Sequence, residues 1–107
     1  MKLITAIVNK DDALSVQHSL TEAGFSVTRL ATTGGFLQAG NVTFITATDD
    51  GRVDEALDHI AEHCQMRKLY MPATSSFGLG VGDATPVEVS VGGATVFVQN
   101  IERFEKL

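Results

Sequence analysis

Between two strand-like runs the chain reads Leu30-Ala31-Thr32-Thr33-Gly34-Gly35-Phe36-Leu37-Gln38-Ala39-Gly40-Asn41. A connection that only reversed the chain would be short and polar. Here two hydroxyls, three glycines and an amide surround a Phe-Leu pair. Glycines allow a backbone to approach a ligand closely, and consecutive N–H groups can cradle an anion. An aromatic and an aliphatic side chain beside them offer a stacking face to a flat ring. The combination suits a nucleotide better than a plain turn. Plainer readings stand beside it: Thr32, Thr33 and Asn41 as turn-forming hydroxyls and an Asx cap, and Phe36-Leu37 as an anchor folded back on the domain. Arg29, just upstream, is either a surface residue of an alternating strand or a cation aimed at a phosphate.

Other residues with chemical potential are fewer. His59 and His63 stand at i, i+4 spacing beside Glu55 and Glu62, a spacing that can clamp a metal between two imidazoles. No third ligand is placed by the sequence, and a solvated polar helix face explains the same residues. Cys64 falls on an apolar stripe and reads as a small core residue. His18 sits on the polar side of the first helix with no evident partner. The chain contains no nucleophile–base–acid set, P-loop or C-x-x-C pair, so an enzyme is not expected and no catalytic or metal residue is assigned.

The elements that must position these groups follow from periodicity. Lys2–Val8 is apolar on both alternate faces, which predicts a central strand. Asp11 or Asp12 is expected to cap a helix carrying Ala13, Val16, Leu20 and Ala23 on one stripe, ended by Gly24. Strands are predicted at Phe25–Leu30 and Val42–Thr48, then a helix opened by Asp49-Asp50 with the stripe Val53, Ala56, Leu57, Ile60, Ala61 and Cys64. No period holds over residues 67–84, which read as a long mobile loop. Pro86–Val91 and Ala94–Gln99 read as two strands joined by the hairpin signal Gly92-Gly93, and Ile101–Leu107 as one helical turn. The order is β-α-β-β-α-β with an added C-terminal hairpin strand, the α+β ferredoxin-like plan. Right-handed crossovers put both helices on one face of the sheet. Ile4, Ala6, Ile45 and Val96 or Phe97 are then too apolar to face water together on the other. An oligomer with packed sheets is expected, with a ring of three as its natural closed form.

Composition sets the class. The 107 residues make one domain, with 44% apolar and 20% charged residues, as in a globular chain. No apolar run approaches the roughly 20 residues of a membrane span. Met1-Lys2 leads directly into an alternating run without a cleavage-type site. A single cysteine fits a reducing compartment, so the cytoplasm is the expected location. A net charge of −5 argues against a nucleic-acid surface but leaves room for a small phosphorylated ligand.

The segment 30–37 with Ala39-Gly40-Asn41, the segments Pro86–Val89 and Val91–Val98, and the ending Phe104-Glu105-Lys106 together resemble the PII-like cyclic di-AMP receptor proteins over nearly the whole chain. The resemblance implies a homotrimer of ferredoxin-like subunits in bacterial signal transduction, with three nucleotide sites between neighbouring subunits and no catalysis. It implies that Gly35, Phe36 and Leu37 form the adenine platform, that Asn41 reads a base edge, that Thr28 stands near the ribose–phosphate ring and that Phe97 lines the pocket. It also implies that the long loop changes order on binding. With Arg29, Thr32, Ala47 and Lys106, these make the expected nucleotide-binding set.

The chain departs from that pattern at Ser26, where a basic residue is usual, and at Ala47, where glycine is usual. Gln38 replaces an arginine, Lys106 replaces a glutamine, and only Thr85-Pro86 remains of a Tyr-Pro-Tyr-Pro-like run. These changes bear on ligand identity and affinity, not on fold. Three functions follow: a receptor for cyclic di-AMP or a related adenine nucleotide; a trimer with lost or altered nucleotide specificity that docks an unknown protein partner through the 67–84 loop; or a trimeric metal-binding protein resting on His59 and His63.

Overall fold

The computed structural model describes residues 1–30, 40–65, 67–71 and 87–107. Strand β1 (Lys2–Asn9) runs straight into helix α1 (Lys10–Glu22), followed by β2 (Thr28–Leu30), β3 (Asn41–Thr48), a 3-10 turn (Asp50–Arg52), helix α2 (Val53–His63), β4 (Arg67–Met71), β5 (Val87–Val91) and β6 (Ala94–Asn100). Four strands form an antiparallel sheet in the order β2-β3-β1-β6. As its two apolar faces predict, β1 is central, hydrogen-bonded to β3 on one side and β6 on the other. Each helical connection skips one strand, β1 to β2 across β3 and β3 to β6 across β1, which is compatible with the ferredoxin-like plan.

The core lies between the sheet and the two helices. Ile4, Ala6 and Val8 of β1 and Val42 and Phe44 of β3 meet Ala13, Val16 and Leu20 of α1 and Ala56 and Ile60 of α2. Burying each of the larger aliphatic and aromatic side chains contributes about 1.5–3 kcal/mol. Cys64 is buried here, as the stripe on α2 predicts, whereas Ala61 of the same stripe is exposed. The sheet face assigned from sequence needs correction. Ile4, Ala6 and Val96 pack on the helix side, and the open face is built instead from Leu3, Thr5, Ile7, Thr43, Ile45, Ala47 and Phe97. Both faces of β1 are apolar, so alternation alone does not choose between them.

The junctions differ from expectation for local reasons. Because β1 leaves no connection before α1, Asn9 is the cap, its side-chain oxygen accepting the Asp11 N–H at 2.9 Å. Asp11 and Asp12 move into the first turn, where carboxylates oppose the helix dipole favourably. At the other end, the Gly24 N–H donates to Thr21 O and the Phe25 N–H to Leu20 O, both at 3.0 Å, a Schellman closure with Gly24 at φ +93°. That closure uses the Phe25 N–H and buries its ring, so β2 begins only at Thr28. Asp49 and Asp50 open a 3-10 turn, and α2 itself starts at Val53.

The larger correction concerns the C-terminal third. Residues 67–71, expected as loop, form β4, which pairs antiparallel with β5 from Arg67 opposite Val91 to Met71 opposite Val87. Two cations followed by three apolar residues carry no period of two, so this strand left no signal. β5 therefore belongs to a separate two-stranded sheet and does not form the expected hairpin with β6. Gly92 and Gly93 adopt φ +91° and +78°, but they pass the chain between sheets. The fourth strand of the main sheet is thus β6, and the extra strands precede it. Residues 101–107 are not helical, although the Ile101 N–H donates to Met1 O at 3.1 Å.

A Cβ at Gly24 would meet its nearest neighbour, Arg52 Nη1, at an ordinary 3.9 Å, so the cost of Gly24→Ala lies in the backbone alone. Urea denaturation should show a loss of about 1–2 kcal/mol, the cost of a left-handed residue bearing a Cβ.

Candidate functional site

Sheet register decides which expected site residues meet. Thr28 on β2 stands opposite Ile45 on β3, Ile45 opposite Thr5 on β1, and Thr5 opposite Phe97 on β6. These four form one cross-strand row on the face away from the helices. Ala47 lies in the next row, opposite Leu3, which in turn faces Gln99. Asn41, at the start of β3 and opposite Asn9, shares the parity of Ile45 and Ala47 and so belongs to the same face. Thr28, Asn41, Ala47 and Phe97 thus share one surface. Phe97 is 45% exposed, large for an aromatic ring on a sheet.

Thr28 and Phe97 nevertheless occupy opposite edges. Three strand spacings of about 4.8 Å separate them by roughly 14 Å. Arg29 does not join this surface: it stands opposite Phe44 and follows the other face, exposed on the edge strand. Lys106 is exposed in the segment after β6, near an Arg103–Glu105 ion pair of 2.7 Å. Thr32, Gly35, Phe36 and Leu37 lie outside the described residues, as does most of the expected 67–84 loop. Ser26 is exposed ahead of β2, and its carbonyl accepts the Thr46 hydroxyl at 2.6 Å, which fixes the approach of β2 to β3.

One polar residue of this face escaped the sequence reading. Thr43 shares the parity of Asn41 and Ile45, a relation visible in the sequence, yet it is only 4% exposed. Its Oγ1 is buried and has no hydrogen-bond partner among the described residues.

The remaining polar groups serve the helix layer. His59 Nδ1 and Ser19 Oγ are 2.7 Å apart across the α1–α2 contact, and the imidazole meets the Phe25 ring edge-on at 6.4 Å. The Arg52 guanidinium lies over that ring, 4.1 Å from its centroid, while Nη2 donates to Ala23 O at 2.7 Å. His59 is therefore half-buried and engaged, not part of a solvated face. His18 has a partner after all, Glu22, at 3.0 Å. Among the described residues no three His, Cys, Asp or Glu side chains gather to hold a metal.

Two carboxyls are held below their ordinary pKa by neighbouring cations. Asp50 accepts a hydrogen bond from the N-terminal ammonium at 2.8 Å, and Glu55 accepts one from Arg52 at 3.0 Å. Both stand beyond the end of β3 opposite to Asn41 and anchor the start of α2. A groove of about 440 Å³ lies on the helix side, lined by Leu57, Ile60, Ala61, Cys64, Gln65, Ala94 and Val96. Among the described residues, none of the expected nucleotide-binding set lines it. No helix among the described residues is long and apolar enough to cross a membrane.

The open face thus offers hydroxyls, an amide and an exposed ring, groups that suit the binding of a polar, flat ligand. A crystal structure described as a functionally unknown protein from Pediococcus pentosaceus ATCC 25745 is 36% identical in sequence. The match covers 99% of this chain and 96% of that one, with a TM-score of 0.74. The model of the family described as cyclic-di-AMP receptor matches residues 1–107, from the first residue of β1's approach to the last residue of the tail. The chain belongs to the cyclic-di-AMP receptor family.

Proposed function

We propose that this protein is a non-enzymatic, PII-like signal transduction receptor of the cytoplasm that binds cyclic di-AMP in clefts between the subunits of a homotrimer. The observation that carries the reading is the family match over the full 107 residues. The shared face of Thr28, Asn41, Ala47 and Phe97 supports it from the structure.

The edge positions of Thr28 and Phe97 favour an interfacial site. A ligand gripped by both within one subunit would have to bridge roughly 14 Å over Thr5 and Ile45. A two-fold dimer brings identical edges together, β2 to β2 or β6 to β6. A head-to-tail contact instead brings the β2 edge of one subunit towards the β6 edge of the next, and such contacts close into rings. The open face, with Leu3, Ile7, Ile45 and Phe97, provides the apolar surface for that association. In this reading Gly35, Phe36 and Leu37 supply the adenine platform, Thr32 stands at its mouth, and Lys106 approaches from the tail, while Arg29, on the other face of its strand, reaches the ligand only around the β2 edge.

The departures from the family pattern gain a physical setting. Ala47 is half-buried on the open face opposite Leu3, so its methyl group projects into the surface that the ligand would approach. Ser26 is exposed beside β2, with space for a longer side chain. Both changes weaken cyclic di-AMP binding in this reading: overpacking costs about 1–3 kcal/mol and a missing charge-assisted hydrogen bond about 1.5–3 kcal/mol.

Light scattering at micromolar concentration should report three chains per particle, and a monomer would refute the ring. Phe36→Ala should weaken cyclic di-AMP binding by about 1–3 kcal/mol, the range for one base–aromatic stack, with an unchanged melting temperature. Unfolding would instead place Phe36 in the core. Calorimetric titration should show that Ser26→Arg combined with Ala47→Gly binds cyclic di-AMP more tightly than the parent chain does. ATP titrated in parallel tests whether another adenine nucleotide is preferred.

A further inference from the structure

We infer that the Thr43 hydroxyl is a ligand contact of this site, donating a hydrogen bond to the ribose–phosphate ring of the bound cyclic dinucleotide. The inference rests on the nucleotide-binding reading above and adds a residue to it. Thr43 is 4% exposed, and its Oγ1 is buried without a hydrogen-bond partner among the described residues. Thr46, three residues on and equally buried, faces the helices and gives its hydroxyl to Ser26 O at 2.6 Å. The same strand therefore satisfies a buried hydroxyl on its core side and leaves one unsatisfied on its open side.

Packing alone does not call for a hydroxyl at position 43. Valine has the same branched shape, fits a strand as well and carries no desolvation penalty. In the free chain the Thr43 oxygen contributes only the cost of an unmade bond, which a partner arriving with a ligand removes. The position fits such a partner. Asn41 lies two residues along the strand, about 6.8 Å away, and Thr28 stands on the cross-strand diagonal at about 7–8 Å. A ligand that touches both passes over Thr43.

The chemistry narrows the atom contacted. Thr43 is flanked by Leu30 and Ile7 across the strands and by Ile45 along its own, so its surroundings are apolar. A single donor in such a setting binds most strongly to an ionised acceptor. The phosphodiester oxygens carry the charge of a cyclic dinucleotide, and β-branching holds the Thr43 Oγ1 in a narrow range of directions before the ligand arrives.

The experiment is calorimetric titration of cyclic di-AMP into the full-length parent chain, Thr43→Val and Thr43→Ser, with melting curves of each free protein. Thr43→Val should melt at or above the parent temperature and bind about 10- to 100-fold more weakly, the range for losing a hydrogen bond to a charged group. Thr43→Ser should bind within about threefold of the parent, because the donor is retained. Parent-like affinity in Thr43→Val overturns the inference while leaving the receptor reading intact. Absence of binding by the parent chain overturns both. Should Thr43→Val fail to fold, Thr43→Ala against Thr43→Ser decides the question: equal affinities overturn the inference, and loss in Ala alone supports it.

Discussion

Strand β1 is the constraint on which the rest of this structure depends. It is hydrogen-bonded along both edges, so its backbone groups are satisfied only when β3 and β6 flank it in register. One of its faces, Ile4, Ala6 and Val8, is closed by the helices. Its other face, Leu3, Thr5 and Ile7, must then be covered by something that is not a helix of the same layer. The crossovers follow from this arrangement. β3 must return antiparallel beside β1, and β2 can only take the outer position. β6 has to travel past β4 and β5 to reach the remaining edge.

The join between β1 and α1 makes the helix layer equally constrained. Asn9 is at once the last residue of the strand, paired with Asn41, and the cap of the helix. There is no slack between sheet and helix. The Schellman closure at Gly24 then delivers Phe25 into the core, and Arg52 from the turn before α2 packs on that ring while bonding Ala23 O. His59 completes the contact through Ser19. His59, one of the two histidines that sequence spacing offers as metal ligands, is in this way tied into helix–helix packing.

How much was legible follows from which forces act locally. The strong periods of β1, α1, β3 and α2 placed those elements within a few residues, and Gly24 marked its helix end. Caps were harder to place, because Asn9, Asp11 and Asp12 are all competent and only the missing connection selects Asn9. β4 was illegible: Arg67-Lys68-Leu69-Tyr70-Met71 has no alternation, and its pairing with β5 spans a long stretch of chain. The Gly92-Gly93 signal was real in its dihedrals and misleading in its partner, since β6 ladders with β1 while β5 ladders with β4. At the site, Asn41 and Ala47 share a strand and an even spacing, so their common face could be read directly. The addition of Phe97 and Thr28 to that face depends on inter-strand register, which the sequence does not display.

The division of faces also sets the surroundings of Ala47 and Ser26. Ala47 lies on the open side of β3 and Ser26 projects from an exposed approach to β2, while Phe44 and Thr46, beside them in sequence, are buried on the helix side. A change of one methyl group among the core residues disturbs close packing on every side. The same change on the open face meets only what is docked there. Alternation along one strand therefore lets β3 carry two separate sets of requirements: its even-numbered residues hold the domain together, and its odd-numbered residues, the buried Thr43 apart, answer to whatever the open face receives. In the proposed trimer that is a ligand and two neighbouring subunits, so substitutions at these odd positions tune recognition at little cost to folding.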